Sequence, residues 1–248
     1  MSSIILHPAQ ERGAVDFGWL KSFHSFNFGQ FFHPERLGFG ALRVINDDWV
    51  APGKGFETHS HRNMEIVSIP LSGQLYHKDS MGNEGAIHAG DVQRMSAGTG
   101  VSHSEFNPSP VDQVSFLQIW IEPSQREIAP EYEQKSFDLS TEGLHQLVSP
   151  DGRHHSLKIH QNAAISLIKA HKAQVLPYKP MLNPDQANAT SRMGCYFFVL
   201  KGSGLLRTDK FKQAFSQRDG MAAVKGDIYN FEFYEAGEIL ILEVPVPS

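Results

Sequence analysis

The chain is assembled from short apolar runs, each closed off by Gly, Pro, Asn or Asp, and this punctuation constrains its fold more than any other feature. Runs of strand length bounded by turn-forming residues predict β-strands, and many in succession predict a sandwich or barrel. Strands are expected near residues 41–45, 64–71, 74–77, 91–95, 103–107 and 114–121. A second set is expected near 157–160, 165–170, 196–200, 204–208, 221–224, 228–233 and 239–244. Helical signals are weak. The stretch 113–118 could be read either way, but Val114 and Phe116 argue for strand. The expected class is all-β.

The two sets of strands repeat one another. Val67-Ser68-Ile69-Pro70-Leu71-Ser72-Gly73 matches Phe197-Phe198-Val199-Leu200-Lys201-Gly202. Ala89-Gly90-Asp91-Val92 matches Lys225-Gly226-Asp227-Ile228, and the run 116–123 matches 239–245. Three matches in one order predict a duplicated β-domain. Gly tolerates positive φ and Asp bonds its own backbone, so Gly-Asp pairs suit the entry turn of a strand. Asp151-Gly152, within the polar run 149–156, is read as the surface connection between the halves. That reading gives domains of 1–148 and 149–248.

The chemistry lies in the first half. His59-Ser60-His61 is followed by His103-Ser104-Glu105. Residues two apart on a strand point to the same face, so each triplet can present two ligand groups to one space. If the two strands are neighbours, three imidazoles and a carboxylate converge, a donor set suited to one divalent transition metal. Alternation alone also puts Glu65 on the face of His59 and His61, so spacing leaves both Glu65 and Glu105 open as the fourth ligand. The second half has no histidine after His171 and cannot rebuild the cluster. It is read as structural.

Other candidates have plainer readings. His24 lies among Phe23, Phe26 and Phe28 and is expected to pack and hydrogen-bond; His33 and His77 are expected at turns or the surface. His154, His155 and His160 lie near the connection and are not expected to bind metal. Ser102 and Ser104 flank His103, but no strand–turn–helix elbow surrounds them, which argues against serine hydrolysis. Phe31-Phe32 is expected in the core.

Composition removes further classes. The formal net charge is -5, with no Lys/Arg cluster to track phosphates, so direct nucleic-acid binding is not expected. The first residues lack a basic segment followed by a long apolar run, and no stretch approaches the roughly 20 apolar residues of a membrane span. The single cysteine, Cys195, fits a reducing compartment. A cytoplasmic protein with no membrane contact is expected. Nothing demands assembly, and a monomer is expected.

The stretch Gly53-Lys54-Gly55-Phe56-Glu57-Thr58-His59-Ser60-His61-Arg62-Asn63-Met64-Glu65 resembles the first cupin motif, with its closing Gly73 one residue late. Gly90, Ser96-Ala97-Gly98, His103 and Asn107 resemble the second, with Ser96 in place of Pro and a longer gap before the histidine. Residues 13–47 are similar to the start of bacterial pirins, as are His77-Lys78-Asp79-Ser80-Met81-Gly82-Asn83 and the run 93–105. The resemblance is dense from 13 to 123 and thin after 151.

The resemblance implies a bicupin, two tandem jelly-roll β-barrels, whose first half binds one metal. It implies His59, His61, His103 and Glu105 as ligands, and leaves Glu65 as a carboxylate that orients a ligand or serves the structure. Fe(II) is the favoured ion, with Cu, Ni, Co, Mn or Zn possible. The family includes quercetin 2,3-dioxygenases, so a small phenolic substrate and O2 are expected, with Glu105 as the catalytic base. Met64, Met95, Phe106 and Phe116 are candidates for the apolar wall. One mammalian relative acts as an iron-dependent transcriptional co-regulator, so a metal- or redox-sensing binding module without turnover is the alternative. Metal-dependent isomerase or hydrolase chemistry is a third reading, because cupins host many reactions.

Overall fold

The structure, a computed structural model, describes residues 4–182, 191–224 and 228–247. The expected punctuation becomes strand. The chain first forms β1 (Ile4–His7), β2 (Gly13–Asp16), β3 (Leu20–His24), β4 (Leu42–Val50), β5 (Gly55–His61) and β6 (Glu65–Ser72). There follow β7 (Gln74–Asp79), β8 (Glu84–His88), β9 (Asp91–Ser96), β10 (Val101–Phe106), β11 (Val114–Ile121) and β12 (Glu131–Ser136). Then come β13 (Gly143–Ser149), β14 (Leu157–Lys158), β15 (Ala164–Ala170), β16 (Val175–Tyr178) and β17 (Ser191–Lys201). The last are β18 (Gly204–Arg207), β19 (Lys212–Phe215), β20 (Gly220–Val224), β21 (Tyr229–Phe233) and β22 (Gly237–Pro247). β1, β2, β3, β8, β12, β13, β16 and β19 lie outside the expected set, and β5 is expected only through its triplet 59–61; β5 and β12 are the hardest to read. Their sequences, GFETHSH and EYEQKS, carry almost no apolar alternation to read.

A seven-stranded sheet in the order β12-β9-β6-β11-β4-β3-β2 faces a four-stranded sheet, β5-β10-β7-β8. The second half repeats the arrangement with β1-β20-β17-β22-β15-β13-β14 and β16-β21-β18-β19. The duplication holds for the central strands and the small sheets and breaks at the edges, where β1 takes the place of β12 and the parallel pair β13–β14 that of the antiparallel β3–β2. Two of the three sequence matches fall on equivalent strands, β6 with β17 and β11 with β22. The middle match does not. Lys225, Gly226 and Asp227 lie outside the described residues, and the strand in the place of β9 is β20, which precedes them. A Gly-Asp pair serves any strand entry, so the pair alone cannot fix which turn it marks.

The two large sheets stack on one another and share the main core. Val67, Ile69, Leu117 and Ile119 from the first meet Ile165, Leu240, Leu242 and Phe198 from the second. β1 crosses this boundary and pairs antiparallel with β20, from Ile4 against Ala223 to His7 against Gly220. The chain passes from the first large sheet to the second between β12 and β13. Asp47 on β4 is fully buried between the halves, with Arg12 at 3.2 Å and Arg218 at 3.0 Å. Among the described residues no helix is long and apolar enough to cross a membrane.

Two expectations are corrected here. Phe32 is 73% exposed rather than core; only Phe31 turns inward, beneath Gly13. His77 is fully buried on β7 rather than at the surface, because strand alternation turns it into the first barrel.

Candidate metal centre

β10 lies between β5 and β7 in the small sheet, and its register sets His103 directly opposite His59. Val101, His103 and Glu105 are the inward positions of β10. Gly55 lets β5 close tightly on β10, since a Cβ there would collide with the backbone carbonyl of Glu105. The turn after His61 is pinned from outside: Arg62 and Asn63 both hold the carboxylate of Glu127.

One ligand atom from each of His59, His61 and His103 lies within 4.8 Å of the other two, and burial increases in that order. The ring centroids are 4.5–4.9 Å apart. The Nε2 atoms of His61 and His103 face each other at 3.0 Å. His59 donates Nδ1–H to the Glu57 carbonyl at 2.8 Å, which leaves its Nε2 as the lone-pair atom.

These residues fit a metal on two counts. Imidazole–metal bonds of about 2.1 Å at a right angle place the two nitrogens about 3.0 Å apart, the separation seen between His61 and His103. Both rings also hold their lone pairs free at neutral pH. Burial, then the neighbouring His59, lowers His61 to about 4. Burial, then His59, His61 and His77, lowers His103 to about 2.

Glu105 lies deeper. It groups with His103 and His77 in a second cluster of ligand atoms within 4.8 Å, so His103 belongs to both clusters. Burial raises its carboxyl to about 7, against the opposing hydrogen bonds of Ser68 and Gln118. Gln118 Nε2 donates to Oε2 at 2.7 Å, and Ser68 Oγ reaches Oε1 at 3.2 Å. His77 stacks on Tyr132 and faces Asp79 Oδ2 at 3.2 Å. Glu65 lies in neither cluster. It is buried on β6, where it accepts hydrogen bonds from Ser96 Oγ and the His160 backbone N–H, and so ties the first half to the second.

A cavity of about 230 Å³ opens beside the cluster and reaches His59 and Glu105. Its apolar wall is Leu20, Phe28, Phe56 and Trp120, with the 64% exposed Phe17 at the edge. Trp120 also packs edge-on to His61 at 5.0 Å. Asn46, Asp48, Ser22, His24 and Gln118 form its polar side. The wall expected from sequence is different. Met95 packs in the core with Ile66, Ala97 and Val101, against the partly buried Met64. Phe116 is buried behind Phe56, and Phe106 covers Gly55. Proximity to the histidines in sequence suggested those four; the residues that do line the space come from β2, β3, β4, β5, β10 and β11 and from the loops that flank β3, and are brought together only by the fold.

A duplicated double-sheet barrel with an imidazole cluster in its first half is a bicupin. The Pirin family model matches residues 7–121, and the model for the quercetinase C-terminal cupin domain matches residues 146–244. The chain belongs to the pirin family. It is similar to a quercetin 2,3-dioxygenase of Escherichia coli strain K12, 49% identical over 159 residues, 64% of this chain and 68% of that one. Its fold matches the crystal structure of YhhW from E. coli with a TM-score of 0.89 and 37% identity, over 98% of both chains. The bacterial pirin YhhW in complex with nickel(II) matches at 0.87 and 37%, over 98% of this chain and 100% of that one.

Proposed function

We propose that the chain is a metal-dependent dioxygenase that opens a flavonol such as quercetin with O2, at a centre held by His59, His61, His103 and Glu105. The observation that carries the reading is a triangle of imidazoles, with a buried carboxylate beneath it, open to an aromatic-walled cavity. Similarity to the E. coli quercetin 2,3-dioxygenase supports the substrate class. The donor set suits Fe(II), and also Cu, Ni, Co, Mn or Zn. When bound, the ion supplies Lewis-acid stabilisation of the substrate's enolate oxygen.

The protein's own groups do the rest. Phe28, Phe56 and Trp120 hold a flat ring system and exclude water. Glu105 takes the proton of the enolic hydroxyl at Oε1, the oxygen held only by the longer bond from Ser68, whose hydroxyl is shared with Gln118. A carboxyl raised to about 7 suits a base at neutral pH. The substrate anion and O2 then give a ring-opened ester and carbon monoxide. The metal and substrate belong to the first domain, 1–148, and the second, 149–248, is structural.

The test is a quercetin assay run with and without oxygen on protein of known metal content. Oxygen-dependent loss of quercetin absorbance with release of carbon monoxide, abolished by His61→Ala, is expected. Turnover without oxygen would overturn the reading in favour of non-oxidative chemistry. No turnover with any of the six metals would overturn it in favour of a binding module.

A further inference from the structure

The cavity face of the first large sheet carries a row of polar side chains. Strand register aligns His24 on β3, Asn46 on β4, Gln118 on β11 and Ser68 on β6 across four neighbouring strands. Asp48 lies two residues from Asn46 and shares its face. The row divides in two. Gln118 and Ser68 hold the carboxylate of Glu105. At the other end only Asp48 has a partner of this kind, Ser22, among the described residues. Asn46 Oδ1, Asp48 Oδ1 and His24 Nδ1 are buried without a hydrogen-bond partner among the described residues, and all three residues line the cavity.

Buried polar atoms without partners cost stability, and their persistence calls for an explanation. The fold does not require the row: on the equivalent strand of the second barrel, β15, Ile168 stands in the place of Asp48 inside an apolar core, and only the small Ser166, in the place of Asn46, keeps a buried hydroxyl without a partner among the described residues. Asn46 and Asp48 offer oxygens side by side, and oxygens of this kind accept hydrogen bonds from O–H donors. An ether or a bare aromatic edge would leave them unpaired.

We infer that His24, Asn46 and Asp48 form a hydroxyl-reading wall, which selects flat phenols carrying a second hydroxyl remote from the metal centre. The inference rests on the function proposed above and adds the residues that choose among its ligands. Glu105 and the imidazoles engage one end of the ligand, Phe28 and Trp120 hold its faces, and Asp48 and Asn46 accept from a hydroxyl at the far end.

The experiment is anaerobic binding to the full chain loaded with Ni(II), followed by quenching of tryptophan fluorescence. The two probes are quercetin, hydroxylated on both ring systems, and 3-hydroxyflavone, which keeps only the hydroxyl beside the carbonyl. Wild type should bind quercetin about tenfold or more tighter, because the wall discriminates against a ligand that leaves it unpaired. In Asp48→Leu the ratio should fall to about threefold or less through weaker quercetin binding, with metal content per chain unchanged. Asn46→Leu is the second variant and should narrow the ratio in the same direction.

A ratio unchanged in both variants, or absent in wild type, overturns the inference. The two readings separate cleanly. Wild-type turnover of quercetin with an unchanged ratio in the variants would sink the wall and leave the dioxygenase. A ratio that collapses in the variants of a protein without turnover would support the wall and sink the dioxygenase.

Discussion

The two barrels share a strand order and differ in what fills them. The inward positions of β10 carry Val101, His103 and Glu105; those of the equivalent β21 carry Tyr229, Phe231 and Phe233. On the large sheets, Gln118, Asn46 and Asp48 in the first barrel face a cavity, whereas Phe197, Val199, Ile239, Ile241 and Ile168 close the second. The same backbone thus supports an interior with a cavity and polar side chains or one filled by aromatic and aliphatic ones. The difference teaches where stability and function are separated: the second barrel and the shared core between the large sheets supply burial, and the first gives some of it up for donors and space.

The largest effect that would sharpen this contrast is catalytic. Glu105→Gln keeps the shape of the side chain and removes its charge. Turnover of quercetin should fall by roughly 10²–10⁴, the contribution of a general base, with a modest fall in metal occupancy. Full activity in steady-state assays would remove the base from this position.

The next effect belongs to the second barrel. Phe231 is fully buried among Phe197, Phe215 and Phe233. Phe231→Ala should cost about 3–5 kcal/mol in urea unfolding and leave metal stoichiometry unchanged. Loss of metal in the still-folded variant would break the separation between the barrels.

A smaller effect tests the strand that joins them. His7 on β1 is lowered to about 4, chiefly by burial and then by the charges of Arg36 and His33. An unfolded histidine titrates near 6.5, so between these values the unfolded chain binds a proton that the folded chain refuses. Stability present above pH 6.5 is therefore lost as pH falls towards 4, by up to about 2 kcal/mol at pH 5. Hydrogen exchange of the β1 and β20 amides should speed up from pH 7 to pH 5, after correction for intrinsic rates, and His7→Phe should flatten the trend.

The smallest effect has the opposite sign. Replacing a buried, incompletely satisfied polar group by an apolar one of similar shape is neutral or stabilising. Asp48→Leu should raise the stability of the metal-free protein by about 1 kcal/mol in urea titration, making the first barrel more like the second. Destabilisation would show that Asp48 holds the fold.

Much of this contrast is legible along the chain. The triplets at 59–61 and 103–105 needed only the two-residue period of a strand, and the duplication showed in runs that form the central strands β6, β11, β17 and β22. What was hidden depends on register between distant segments. His77 looks like a turn residue beside Asp79 and Gly82, yet β7 carries it against His103. Asn46, Asp48, Phe28 and Trp120 become one cavity only after β4 and β11 align and the loop after β3 folds over them. β1, four residues at the opposite end of the chain from its partner, gives no local sign of pairing with β20. The exposed Phe32 follows no periodic run that would set its side.

The central claim is that one ion sits in the first barrel and none in the second. Metal per chain, measured by elemental analysis after reconstitution with Fe(II) or Ni(II) and removal of excess, tests it most directly. The account predicts one ion in wild type, one in Phe231→Ala and none in His103→Ala. Retention of the ion by His103→Ala, or its absence from wild type, would contradict it.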